Sequence, residues 1–112
     1  MVTEPVSLQT LADLIARIAE RRSASPEKSY TARLLSEGLS KCAKKFGEEA
    51  VELALAAVLR DPGHIRAEAA DALYHYLVLL QACDLPLTEV LAELDGRMKQ
   101  GGLDEKASRK RP

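Results

Sequence analysis

From Ser7 onward the apolar residues Leu8, Leu11, Leu14, Ile15 and Ile18 recur at the three- and four-residue spacing of one helical face. Ser7 can cap the first free N–H groups, and Arg21 and Arg22 suit the negative end of a helix, so this stretch predicts a first long helix. Residues 23–29 hold Pro26 among small polar side chains and read as a loop. Ser29, Tyr30 and Thr31 then open a short helix through Leu34 and Leu35, which Gly38 ends. A second long helix is predicted from about 39 to 60. Gly47 inside it costs about 1 kcal/mol relative to alanine, which points to a close approach at that position. Asp61-Pro62-Gly63 reads as a break, followed by a third long helix from about 64 to 83. Pro86 is placed at the first helical position of a last helix, whose apolar stripe is Leu87, Val90, Leu91 and Leu94.

No strand pattern or internal repeat competes with these helices. The expectation is an all-α fold of four main helices plus a short one, a single domain over 1–112 with its core at about 7–100. The tail over 101–112 has little apolar content and should be mobile. Composition agrees: 46% of the 112 residues are hydrophobic but only 4% aromatic, so the core must be made of aliphatic helix formers. Sixteen basic residues against seventeen acidic ones leave a net charge of -1, which disfavours nucleic acid as a partner. Cys42 and Cys83 lack zinc or redox spacing and read as reduced, buried thiols. The chain shows neither a secretory signal nor an apolar run of about 18 residues, so a soluble cytoplasmic protein with no membrane partner is expected.

The acidic residues change the picture. Between positions 50 and 59 every residue except Glu52 is apolar, and Glu68, Asp71 and His75 lie among Ala, Leu, Tyr and Val. Helices apolar almost all round are expected to be buried, where an unpaired carboxylate is very costly. At about 100° per residue, Glu49 and Glu52 share a face of one helix, as Glu68 and Asp71 share a face of the next. A short link makes the two helices antiparallel neighbours, so both pairs can face one cleft. Lys45 is the one obvious cation on that face. An all-oxygen set suits Mg²⁺ or Mn²⁺ better than zinc, and Mg²⁺ held by a few carboxylates binds substrate phosphates. The plain alternative is that these acids are surface residues paired with lysines on a helical dimerisation module. His75 could orient a carboxylate or meet a phosphate, or could simply fill the core beside Tyr74 and Tyr76. His64 reads only as a helix-start residue.

The run Lys45-Phe46-Gly47-Glu48-Glu49-Ala50-Val51-Glu52, followed by Glu68-Ala69-Ala70-Asp71-Ala72-Leu73-Tyr74-His75, resembles the phosphoribosyl-ATP pyrophosphatase family. That family is a branch of the MazG-like all-α nucleotide pyrophosphatases, whose hallmark is Glu-Glu-x-x-Glu and then Glu-x-x-Asp. Ser29-Tyr30-Thr31 with Leu34, Leu35 and Gly38, and the tail residues Gly102, Leu103 and 105–109, resemble the histidine-biosynthesis branch. The resemblance implies a MazG-like bundle completed by dimerisation and hydrolysis of phosphoribosyl-ATP to phosphoribosyl-AMP and pyrophosphate. It implies Mg²⁺ as cofactor, with Mn²⁺ as a substitute, held by Glu49, Glu52, Glu68 and Asp71. Glu48 and Glu52 are candidate bases beside that metal. Lys45, Tyr30, His75, Lys106 and Arg109 are the candidate substrate contacts, the last two for the phosphate on the second ribose. Phe46 and Ala72 depart from the family pattern, in packing rather than in chemistry. A MazG-type housecleaning enzyme for nucleoside triphosphates would share the metal site and differ in the base and sugar pocket.

Overall fold

The computed structural model describes residues 6–100, which form five helices and, among the described residues, no strand. The helices are α1 (Leu8–Arg21), α2 (Tyr30–Ser36), α3 (Leu39–Leu59), α4 (Pro62–Ala82) and α5 (Leu87–Gln100). The calls on the tail, Lys106 and Arg109 among them, lie outside the described residues.

Each helix begins where its local chemistry allows. The Ser7 side chain accepts from the Gln9 N–H at 3.1 Å, and Ser29 accepts from the Ala32 N–H at 3.1 Å. Gly38 starts α3 with φ 97°, a conformation that costs glycine nothing, and its carbonyl takes the Cys42 N–H at 3.2 Å. Arg60 ends α3 in the left-handed conformation. The helix after it starts earlier than the sequence suggests, because Asp61 caps the N–H groups of Gly63 and His64 while Pro62 occupies a first-turn position that needs no N–H. The link between the two long helices is therefore only Arg60 and Asp61. Pro86 stands just before α5 rather than within it, its carbonyl accepting from the Glu89 N–H at 3.0 Å.

α3 and α4 form an antiparallel hairpin, and the core sits at one end of it. Ile18 of α1, Leu34 of α2, Cys42 of α3, and Leu77 and Val78 of α4 make the buried cluster, with Leu11, Leu14, Leu35, Tyr74 and Leu87 packed around it. Arg22 ties α1 to the end of α4, donating to the Gln81 carbonyl at 2.9 Å and to the Asp84 carboxylate at 2.7 Å. Cys42 is buried as expected, its thiol donating to the Leu34 carbonyl. Cys83 instead is exposed, because it terminates α4 beyond the core.

The other end of the hairpin departs from expectation. Val51, Leu55, Val58 and Leu59 of α3 are between 59% and 76% exposed, so the apolar character of this helix does not bury it within one chain. α5 has no buried residue, and Leu91, Leu94 and Met98 along it are exposed. Among the described residues nothing lies within 4 Å of the position a Cβ would take on Gly47, so the close contact anticipated there is not made by them. No described helix is long and apolar enough to cross a membrane.

Candidate active site

The hairpin brings the expected acids together at the border between its covered and bare ends. Counted from the Arg60-Asp61 link, Glu49 on α3 falls level with Asp71 on α4, and Glu68 lies one turn from Asp71 on the same face. One carboxylate oxygen from each of Glu49, Glu68 and Asp71 lies within 4.8 Å of the others. Glu52 is exposed and stands outside this convergent trio, although it shares a face of α3 with Glu49. It remains a neighbour of Glu49. Burial first, then the hydrogen bond and charge of Glu52, push the Glu49 carboxyl above its ordinary value, with Asp71 adding to the shift and Lys45 opposing it.

Few cations balance this charge. Lys45 Nζ lies 3.5 Å from Glu48 Oε1 and 3.8 Å from Glu49 Oε2. Burial works against its charge, but Tyr30, Glu48 and Glu49 together outweigh burial and hold the ammonium above its usual range. His64, read from sequence as a helix-start residue only, is a site neighbour: its Nε2 is 3.5 Å from Glu68 Oε1. The signal for it was present in the four-residue spacing from His64 to Glu68. Glu68 Oε2 is buried and has no hydrogen-bond partner among the described residues. A buried carboxylate oxygen without a donor, inside a set of carboxylates, is the environment a hard divalent cation satisfies. The three converging donors are all carboxylate oxygens, a set that fits Mg²⁺ or Mn²⁺ better than a softer metal.

Beside the trio lies an aromatic wall. His75, one turn after Asp71, is 6% exposed, with its ring edge-on to Tyr74 at 4.9 Å and to Tyr30 at 6.1 Å. Burial pushes its imidazole below the usual value, the Lys45 charge adds to that, and Asp71 pulls the other way. It is therefore neutral at pH 7. The Tyr30 ring stacks on Tyr74 at 6.3 Å, and the Tyr74 hydroxyl is hydrogen-bonded to that of Thr31, joining α2 to α4 next to the carboxylates. Thr31 and Arg33 belong to this wall as well; Thr31 lies in the Ser29-Tyr30-Thr31 stretch of the resemblance, whereas only its place in α2 pointed to Arg33. Phe46 packs against Tyr76 at 5.8 Å, so one residue that departs from the family pattern is held by an aromatic contact.

With this geometry in hand, the profile of the phosphoribosyl-ATP pyrophosphohydrolase family matches residues 11–98, which spans all five carboxylates and the aromatic wall. The chain belongs to that family. A Methylobacterium nodulans protein named phosphoribosyl-ATP pyrophosphatase is 56% identical over 103 residues, covering 92% of this chain and 96% of the relative. Proteins of the same name from Dinoroseobacter shibae and Agrobacterium fabrum are 54% and 49% identical, covering 91% and 96% of this chain and the whole length of each relative. The family's histidine-biosynthesis branch, suggested by Ser29-Tyr30-Thr31, is thus the right one, and the all-helical architecture agrees with it.

Proposed function

We propose that this chain hydrolyses phosphoribosyl-ATP to phosphoribosyl-AMP and pyrophosphate, the second step of histidine biosynthesis, as a cytoplasmic homodimer using Mg²⁺. The observation that carries this reading is the convergence of Glu49, Glu68 and Asp71 around the partnerless Glu68 oxygen, in a chain with relatives of that name at over 50% identity.

Glu49, Glu68 and Asp71 would hold the cation, with Glu52 at its edge. When bound, Mg²⁺ supplies charge neutralisation for a triphosphate and orients it for in-line attack by water. Two acids beside the trio can accept the proton of that water. Glu48 is engaged by Lys45 at 3.5 Å and Glu52 by its hydrogen bond to Glu49, and both are exposed beside the convergent oxygens, so each is a candidate base. Lys45, held charged, offers an ammonium to the phosphates at the mouth of the site. The half-exposed Tyr30 ring, backed by the buried His75, forms the apolar side against which the nucleotide lies. Lys106 and Arg109 of the tail are proposed to close over the second ribose phosphate.

The dimer reading rests on the uncovered stripe Gly47, Val51, Leu55 and Val58 of α3, which recurs at helical spacing, and on Leu91, Leu94 and Met98 of α5. Gly47 lies on the same stripe and lets a second helix approach closely. The function is tested by pyrophosphate release from a substrate panel with Mg²⁺, phosphoribosyl-ATP beside the common nucleoside triphosphates. Preference for phosphoribosyl-ATP is expected. A preference for an ordinary nucleoside triphosphate would make the chain a housecleaning enzyme instead.

A further inference from the structure

Among the cations around the site, Lys45 is engaged by Glu48 and Glu49, and His64 by Glu68. Arg33, exposed like His64, differs from both in having no carboxylate partner among the described residues. Its guanidinium carbon instead lies 5.8 Å from the centre of the Tyr30 ring, one turn earlier on α2. Tyr30 is itself fixed. Its ring stacks on Tyr74 with 24° between planes and meets His75 edge-on, and the neighbouring Thr31 is hydrogen-bonded to the Tyr74 hydroxyl. Burial holds that hydroxyl protonated. Tyr30 also lies within electrostatic reach of Lys45.

These contacts form one continuous series: the carboxylates, then Lys45 and His75, then Tyr30, then Arg33. A substrate whose triphosphate meets the carboxylates and whose base lies along the aromatic wall carries its far end toward α2. The first cation there without an acidic partner is Arg33. An arginine held over an aromatic ring loses little freedom when it binds, and its planar fork matches a phosphate monoester through two parallel hydrogen bonds.

We propose that Arg33, carried on the fixed Tyr30 ring, grips the phosphate monoester on the second ribose of the substrate and so distinguishes it from ordinary nucleoside triphosphates. The proposal rests on the function proposed above and assigns that phosphate to the helical body, independently of the tail. In this arrangement the Tyr30 ring both lines the nucleotide and carries the guanidinium.

The test is steady-state kinetics with phosphoribosyl-ATP and saturating Mg²⁺ on the wild type, Arg33→Gln, Arg33→Lys and Tyr30→Leu. Arg33→Gln should raise KM about tenfold or more with kcat within about twofold, since a charge-assisted contact to a remote phosphate contributes binding rather than chemistry. Arg33→Lys keeps the charge without the fork and should fall between, which leaves a reading even if the glutamine variant folds poorly. Tyr30→Leu, which removes the ring beneath the guanidinium, should raise KM as Arg33→Gln does. An unchanged KM in Arg33→Gln, or a fall in kcat alone, overturns the proposal while leaving the function intact. A wild type inactive on phosphoribosyl-ATP overturns the function first, and this assignment with it.

Discussion

The two ends of the α3–α4 hairpin are similarly apolar in sequence and opposite in surroundings. At one end, residues 39–46 and 74–82 are roofed by α1 and α2, and Leu34, Cys42 and Val78 are fully buried. At the other, residues 50–59 of α3 are as rich in Val, Leu and Ala, yet Val58 is 76% exposed and Ala56 is the one buried residue there. The difference teaches that hydrophobicity states that a face must be covered without stating by what. Among the described residues, α1 and α2 roof only one end of a hairpin of two 21-residue helices. The carboxylates sit on the seam, where the covered end holds their helices in register and the bare end leaves the cleft open.

The largest expected effect is on that seam. Glu49→Gln, Glu68→Gln and Asp71→Asn should each lower turnover by at least about a hundredfold, the scale of removing a group that stabilises transition-state charge. Each should leave the metal-free melting temperature unchanged or raise it, because neutralising one of three crowded carboxylates relieves repulsion. Near-normal rates in all three would remove the site from its place on the seam.

The comparison itself is tested by two truncations of equal size. Leu34→Ala, at a fully buried position of the covered end, should cost about 3 kcal/mol in chemical denaturation. Leu55→Ala, 61% exposed in the single chain, should cost far less at low protein concentration and should weaken self-association measured by sedimentation. Equal costs at all concentrations would show that the bare end is not a bare end.

A smaller effect concerns pH. The folded environment holds His75 below its ordinary value near 6.5, so the unfolded chain binds its proton more readily. Its contribution to stability is complete above that value and is lost as pH falls toward the lowered one. Lys45 and Asp71 act on it from the two helices, and Tyr30 and Tyr74 line it. The raised Glu49 carboxyl has the opposite sign, favouring the fold on acidification, so the measurement is the difference between wild type and His75→Asn. Wild type should lose stability relative to the variant as pH is lowered from 7. Parallel curves would refute the burial of an uncharged imidazole.

The helices were legible because their signals are local: Ser7, Ser29 and Gly38 act on N–H groups within a few residues. The start of α4 was misplaced because Asp-Pro-Gly is also a turn signature, and only the Asp61 cap decides for a helix. The meeting of Glu49, Glu68 and Asp71 followed from three-residue spacing and a tight link. The outlying position of Glu52 did not, since it shares with Glu49 the same three-residue step that joins Glu68 and Asp71. Nor did the joining of Thr31 to Tyr74, which depends on side-chain reach across helices, whereas the contact from His64 was present in its four-residue spacing to Glu68. Exposure of the α3 stripe and of Cys83 was illegible because apolar periodicity is the same for a face covered by its own chain and one left open.

The central claim, a divalent-cation site built from three carboxylates on the seam of the hairpin, is tested most directly by titrating the protein with Mn²⁺ and following the free-ion electron paramagnetic resonance signal. Wild type should remove the free signal saturably, Mg²⁺ should restore it by competition, and Glu68→Gln should bind at least about tenfold more weakly. Identical titrations of wild type and Glu68→Gln would contradict the account.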